Sequence, residues 1–155
     1  YISEEYKPVE PTSKMLAAKL EFGDMLISRS NTVERVGYVG IFSDERDDVS
    51  FPDTMMRLRP NPSLIIPDFL EALLQTTSSR EYLMRIAAGT SASMKKINRA
   101  NLLQMPLKVP SIHLQNEALK ELRKLKGTVT ALKLRWDGAL QLARQIAAKT
   151  IEGDA

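Results

Sequence analysis

Cysteine is absent from this 155-residue chain, and histidine occurs once, at His113. The first absence excludes disulfides and thiolate zinc sites; the second leaves little for a histidine-based metal site or a proton relay. We therefore expect no metal site and no cofactor. Long apolar runs are missing too. Nothing approaches the roughly 20 residues that cross a bilayer, and the opening "YISEEYKPVEP" lacks the charged and apolar blocks of a signal peptide. A cytoplasmic protein with no membrane partner is the expectation. Because the chain opens on Tyr1 and a polar tail, we read it as a piece of something longer.

What is present is enough for a core. At 43% hydrophobic residues, the chain holds one globular domain, or a smaller domain plus an extended element. Charge is unevenly spread. Residues 1–110 carry 14 Lys and Arg against 14 Asp and Glu, and residues 111–155 carry 8 against 5, so the formal +3 comes entirely from the C-terminal part. Between Arg80 and Lys108 stand six cations (Arg80, Arg85, Lys95, Lys96, Arg99 and Lys108) against Glu81 alone. Such a density suits phosphate neutralisation, and it equally suits an ordinary solvated surface. The acidic "SDERDDVSFPD", residues 43–53, reads as a solvated loop.

Periodicity divides the chain. "DMLISRS", 24–30, alternates apolar and polar residues as a half-buried strand does; "VGYVGIF", 36–42, and "TMMRLRP", 54–60, read as two further strands. From Pro67 the period becomes helical, with Pro at a first turn and Asp68 near the positive end of the dipole. A second helix follows, with Ser78 or Ser79 as N-cap and Gly89 at its C-terminus. "LLQMPLKVP", 102–110, is too proline-rich for a helix and fits an edge strand or extended segment. Residues 1–110 are thus predicted to form a small α+β domain.

Residues 111–155 differ in kind. Ala118, Leu122, Leu125, Val129, Leu132, Trp136, Ala139, Ala143 and Ile146 follow one another at alternating spacings of four and three. That is a heptad seam, with Gly127 and Gly138 outside it, where each costs about 1 kcal/mol of helix propensity without opening a hole. About 38 residues at about 1.5 Å each make a rod on the order of 57 Å long. Such a rod is too long to bury its stripe against so small a domain, so part of the seam awaits another helix. Trp136 is most simply an anchor of that seam, His113 a surface or capping residue, and the seven Met residues core filling.

In this order the pieces resemble a known family. "FGDMLISRS", "RVGYVGIF", "DTMMRLRP" and then "PDFLEALLQTTSSREYLMRIAAGTSASMKKINRANLLQMPLKVPSIHLQNEALKELRKL" look like one target recognition domain and the adjoining helix of a type I restriction-modification specificity subunit. The likeness runs from about Leu20 to Ala147. The family's strand with Gly-Asp before it and Ser-Arg-Ser at its end is matched by Gly23, Asp24, Ser28, Arg29 and Ser30. Its Gly-x-Ser turn is matched by Gly89 and Ser91, and its proline segment leading to Glu-Gln by Pro106, Pro110 and Gln115. Leu114 stands where Glu is usual. The first strands of such a domain, and the second domain and second helix of a full subunit, have no counterpart here.

The resemblance implies a non-catalytic subunit of a prokaryotic restriction and methylation complex. It would read one half of a split site in double-stranded DNA and bind methyltransferase and restriction subunits. Its coiled-coil helix would set the half-site spacing by pairing with a second recognition half, in the same chain or in a second copy. Ser, Thr and Asn on short loops can meet base edges, Arg can pair with guanine, and Lys can neutralise phosphate. Arg29, Ser30, Asn31, Ser91, Ser93, Lys95 and Lys96 are therefore the expected DNA-facing residues, the two lysines on phosphate. Leu122, Leu125, Val129, Leu132, Trp136, Ala139, Ala143 and Ile146 are the expected coiled-coil interface. Nothing resembles an adenine-methylating Asn-Pro-Pro-Tyr motif, since Asn61-Pro62 runs into Ser63, nor a glycine-rich cofactor loop. A second class stays open: a protein-interaction adaptor in which the coiled coil is the whole function.

Overall fold

The computed structural model describes residues 8–89 and 94–153, with side chains through Lys149. The chain divides into two compact units, residues 1–115 and 116–155. The fold is α+β: short antiparallel strands and helices, ending in a long C-terminal helix.

Strands β1 (Met25–Ser28), β3 (Val39–Ile41) and β4 (Met55–Leu58) form an antiparallel sheet in the order β3-β1-β4. Leu26 faces Gly40 on one side and Arg57 on the other. The expected half-buried strand is corrected here, because all four β1 residues are buried. As the central strand, β1 sends consecutive side chains into three separate apolar clusters. Ile27 packs with Val36, Leu83, Ala87 and Ile97; Leu26 with Leu20, Phe42 and Val49; Met25 with Ile65, Leu70 and Leu74. Odd residues meet the helices and even ones the loops on the opposite face, so both faces of the sheet are covered.

The predicted strand over 24–30 is also interrupted. The amides of Arg29 and Ser30 both donate to the Thr54 carbonyl, at 2.9 and 3.1 Å. Two residues thus meet one partner residue, as in a bulge, which bends the chain and ends the pairing with β4. It resumes as β2 (Ser30–Asn31), which pairs antiparallel with β5 (Lys95–Lys96) in a second, two-stranded sheet.

Before the sheet, the described residues form a short helix, α1 (Ser13–Ala17), capped by Thr12. The Gly23-Asp24 turn leads into β1: Gly23 has φ +89°, and Asp24 accepts from the Glu21 amide at 2.8 Å and pairs with Arg57 at 3.2 Å. That ion pair is largely shielded from solvent, and the Arg57 guanidinium also stacks on Phe51 and donates to the Lys19 carbonyl.

Helix α2 (Pro67–Leu74) starts on its proline as expected. Helix α3 (Thr77–Ile86) is capped by Thr76, whose hydroxyl accepts from the Ser79 amide, and neither Ser78 nor Ser79 serves as the cap. The Thr76 hydroxyl also donates to the Leu73 carbonyl at 2.8 Å, so one side chain ends α2 and starts α3. Gly89 lies three residues beyond α3, so it is not the glycine that ends the helix. Its φ of +141° serves a close approach instead: a Cβ there would stand 2.6 Å from the Met94 carbonyl oxygen. Leu102 and Leu103 complete a short helix, α4 (Arg99–Leu103), capped by Asn98. From 105 to 110 the chain has no regular secondary structure, with Met105 and Leu107 packed against the core and no ladder partner among the described residues.

Helix α5 (Ile112–Gly153) is 42 residues long, which at about 1.5 Å per residue is roughly 63 Å. Gly127 and Gly138 lie within it, and a methyl group added at either would meet nothing within 4 Å apart from the helix's own backbone. The first residues of α5 belong to the first unit and are fixed there by Gln115, which is fully buried. The Gln115 Oε1 accepts from the Ile66 amide at 2.9 Å, while Nε2 donates to the carbonyls of Leu64 at 2.9 Å and Pro110 at 2.8 Å. Every polar atom of the amide is used, so its burial carries no desolvation penalty from an unpaired group.

Candidate nucleic-acid interface

The β2–β5 ribbon joins two stretches more than 60 residues apart in sequence. Ser30 lies opposite Lys96 and Asn31 opposite Lys95. The Ile97 amide donates to the Arg29 carbonyl at 2.8 Å, and Ala88 exchanges two hydrogen bonds with Lys96, at 2.8 and 3.0 Å. Five of the residues expected to face DNA (Arg29, Ser30, Asn31, Lys95 and Lys96) are therefore brought together. Ser91 and Ser93 lie outside the described residues.

Within the ribbon the five differ in availability. Lys96 is exposed. Lys95 is half-buried and donates from Nζ to the Gly89 carbonyl at 2.5 Å, tying the turn after α3 to its own strand. Asn31 is half-buried: its Oδ1 accepts from the Thr32 amide at 2.9 Å and its Nδ2 donates to the Ser28 hydroxyl at 3.3 Å. Ser30 is 8% exposed. Arg29 is half-buried, and its Nε is enclosed without a hydrogen-bond partner. The ribbon thus presents Lys96 outward, while Lys95 and Asn31 also hold contacts within it and Ser30 is buried. Arg99, also exposed, follows in the next turn and adds a second cation near it in sequence.

Sequence reasoning missed the group that holds the segment after β2. From α3, the Arg80 guanidinium donates to the carbonyls of Val36 at 2.8 Å and Glu34 at 3.0 Å, and it stacks on the Tyr38 ring at 4.2 Å. Gly37, at φ +76°, makes this approach possible: a Cβ there would meet the Leu83 Cβ at 2.9 Å and Arg80 Nη1 at 3.1 Å. The turn from Thr32 to Tyr38 is thereby pinned against α3 immediately beyond the ribbon. Glu34 on this turn is exposed, and its carboxyl is held below its ordinary value by a hydrogen bond to its own backbone amide and then by the Thr32 hydroxyl. No local motif marks Arg80, because its acceptors lie more than 40 residues upstream and are backbone carbonyls.

Along α5, Leu122 is half-buried and the other expected interface residues are exposed: Val129 by 64% and Trp136 by 70%, with Leu125, Leu132, Ala139, Ala143 and Ile146 alike in kind. The acidic segment 43–53 holds an internal pair, Arg46 with Asp48 at 2.8 Å, which keeps the Asp48 carboxyl below its ordinary value. No group of three or more potential metal ligands occurs among the described residues. None of their helices is long and apolar enough to cross a membrane.

By architecture this is an α+β unit carrying a cationic ribbon, continued by a long helix with an apolar stripe. No family model matches the chain. Over 102 residues it is 26% identical to a protein of Methanocaldococcus jannaschii that carries the provisional name type I restriction enzyme MjaX specificity subunit. The matched stretch is 66% of this chain and 24% of that protein, so the likeness extends over about a quarter of the relative.

Proposed function

We propose that this chain reads one half of a split double-stranded DNA site as part of a type I restriction-modification specificity subunit, without catalysis of its own. The observation that carries this reading is the β2–β5 ribbon, which gathers Arg29–Asn31 and Lys95–Lys96 from the two segments that the family likeness marks. The relative's name supports the same reading. Lys96 and Lys95 meet phosphate, and the segment around Arg29, Asn31, Ser91 and Ser93 meets base edges. Residues 1–110 form the recognition domain. Residues 111–155 form the spacer, which pairs through its seam with the helix of a second recognition half and engages the methyltransferase and restriction subunits.

Salt titration of duplex binding tests the proposal. Each phosphate contact contributes about −0.9 to the slope of log K against log salt for B-DNA. Replacing Lys96 by Ala is expected to flatten that slope by about 1 and to weaken binding similarly for all sequences. An adaptor that acts only through its coiled coil would bind no DNA at low salt, and that result would sink the recognition role.

A further inference from the structure

We infer that the α5 seam is built for a partner helix with acidic flanks and not for a second copy of this chain. This rests on reading α5 as a pairing helix and is independent of the DNA contacts. Taking Leu122, Val129, Trp136 and Ala143 as position a, and Leu125, Leu132, Ala139 and Ile146 as position d, the flanking positions are fixed. Position e holds Lys126, Lys133, Leu140 and Ala147; position g holds Glu121, Thr128, Arg135, Leu142 and Lys149. From Leu122 to Trp136 there are five cations, Arg123, Lys124, Lys126, Lys133 and Arg135, and no acid. The flanking acid Glu121 is already paired within the helix, to Lys124 at 2.7 Å. The seam side chains stand open along this stretch, Leu125 at 63% and Val129 at 64% exposure.

Flanking charges choose partners in a coiled coil. An antiparallel second copy that overlaps the whole seam sets Leu132 beside the other copy's Trp136. The same register brings the two Lys133 side chains together on one flank and the two Arg135 side chains on the other. Sliding by one heptad in one direction sets Lys126 beside Lys133 twice, and in the other it sets Lys133 beside Leu140. Because position e holds no acid, no antiparallel register of two copies answers Lys126 or Lys133 with a carboxylate. A parallel copy removes those clashes but stacks Trp136 on Trp136 in one a layer, where β-branched residues pack best. A helix with Leu or Ile in its seam and Glu at e and g answers every flanking cation in either direction.

The test uses the 155-residue chain and two synthetic 35-residue probes, both with Leu at a and d, one with Glu and one with Lys at every e and g. The chain alone is expected to sediment as a monomer at micromolar concentration in moderate salt. It should bind the Glu probe at least tenfold tighter than the Lys probe, with the preference shrinking in high salt. The triple variant Lys126→Glu, Lys133→Glu, Arg135→Glu should invert the preference, and Val129→Asp should abolish binding of both probes. A stable homodimer of the wild-type chain overturns the inference. So does equal affinity for the two probes, failure to bind either, or Glu-probe binding that survives Val129→Asp. If the triple charge reversal abolishes duplex DNA binding yet leaves the probe preference unchanged, the flanks serve DNA and the inference fails. The ribbon variant Lys96→Ala separates the two readings, because it lowers DNA affinity and leaves probe binding as it was.

Discussion

Gln115 shows how a single polar side chain can be worth more than an apolar one of equal size. Its amide accepts one hydrogen bond and donates two, all to backbone groups of two other segments. Replacement by Glu turns the two donating contacts into a carboxylate oxygen facing two carbonyl oxygens in a buried site. Gln115→Glu is expected to destabilise the first unit by about 3 kcal/mol at neutral pH, read by urea denaturation. Gln115→Leu should cost less, because it leaves carbonyls unpaired without adding a charge. Gly37→Ala is a separate prediction. Both the positive φ and the 2.9 Å approach to Leu83 oppose a methyl group, so a loss of about 2 kcal/mol is expected in the same assay. Gln115 was legible as part of a proline-led motif, but its task was not, because Leu64 and Ile66 lie about 50 residues away. Arg80 was legible only as one cation among six. Long-range contacts to backbone carbonyls leave no trace in residue type at the acceptor end.

Helices α2, α3 and α5 were legible in their own residues, whereas the short α1 and α4 were not. Pro67 starts α2 as its sequence predicts, and the long seam announces α5. The strands were found but misjudged in extent, since alternation over 24–30 cannot reveal that Arg29 and Ser30 share one carbonyl of Thr54. Nor can it reveal that β1 is covered on both faces, which depends on α2, α3 and the loops around Phe42 and Val49. The cap of α3 was misplaced by two or three residues because a run of Thr and Ser offers several equivalent hydroxyls. For α5, a seven-residue insertion after Val129 preserves the seam and adds about 10 Å. Under the proposed role such an insertion is expected to lengthen the spacer between two half-sites by about three base pairs, at roughly 3.4 Å per pair. Methylation mapping reads this directly, and an unchanged spacer would count against the helix as a ruler.

As a whole, the molecule pairs a small α+β unit with a helix of 42 residues. Under the proposed role, deleting the gene in a host strain that carries a type I methyltransferase is expected to remove one split adenine motif from the methylome. Exchanging residues 1–110 for those of a relative should change one half of that motif and leave the other half intact. A motif that persists after deletion would exclude the recognition role. The bulge at Arg29 gives this exchange a structural basis on a smaller scale. β1 hands its ladder over at that residue: the strand before it is locked to β3 and β4, and the strand after it pairs, among the described residues, with β5. Sequence drift in Lys95 and Lys96 is thereby kept off the ladders of the central sheet. A lineage can change these two residues while inheriting the same core.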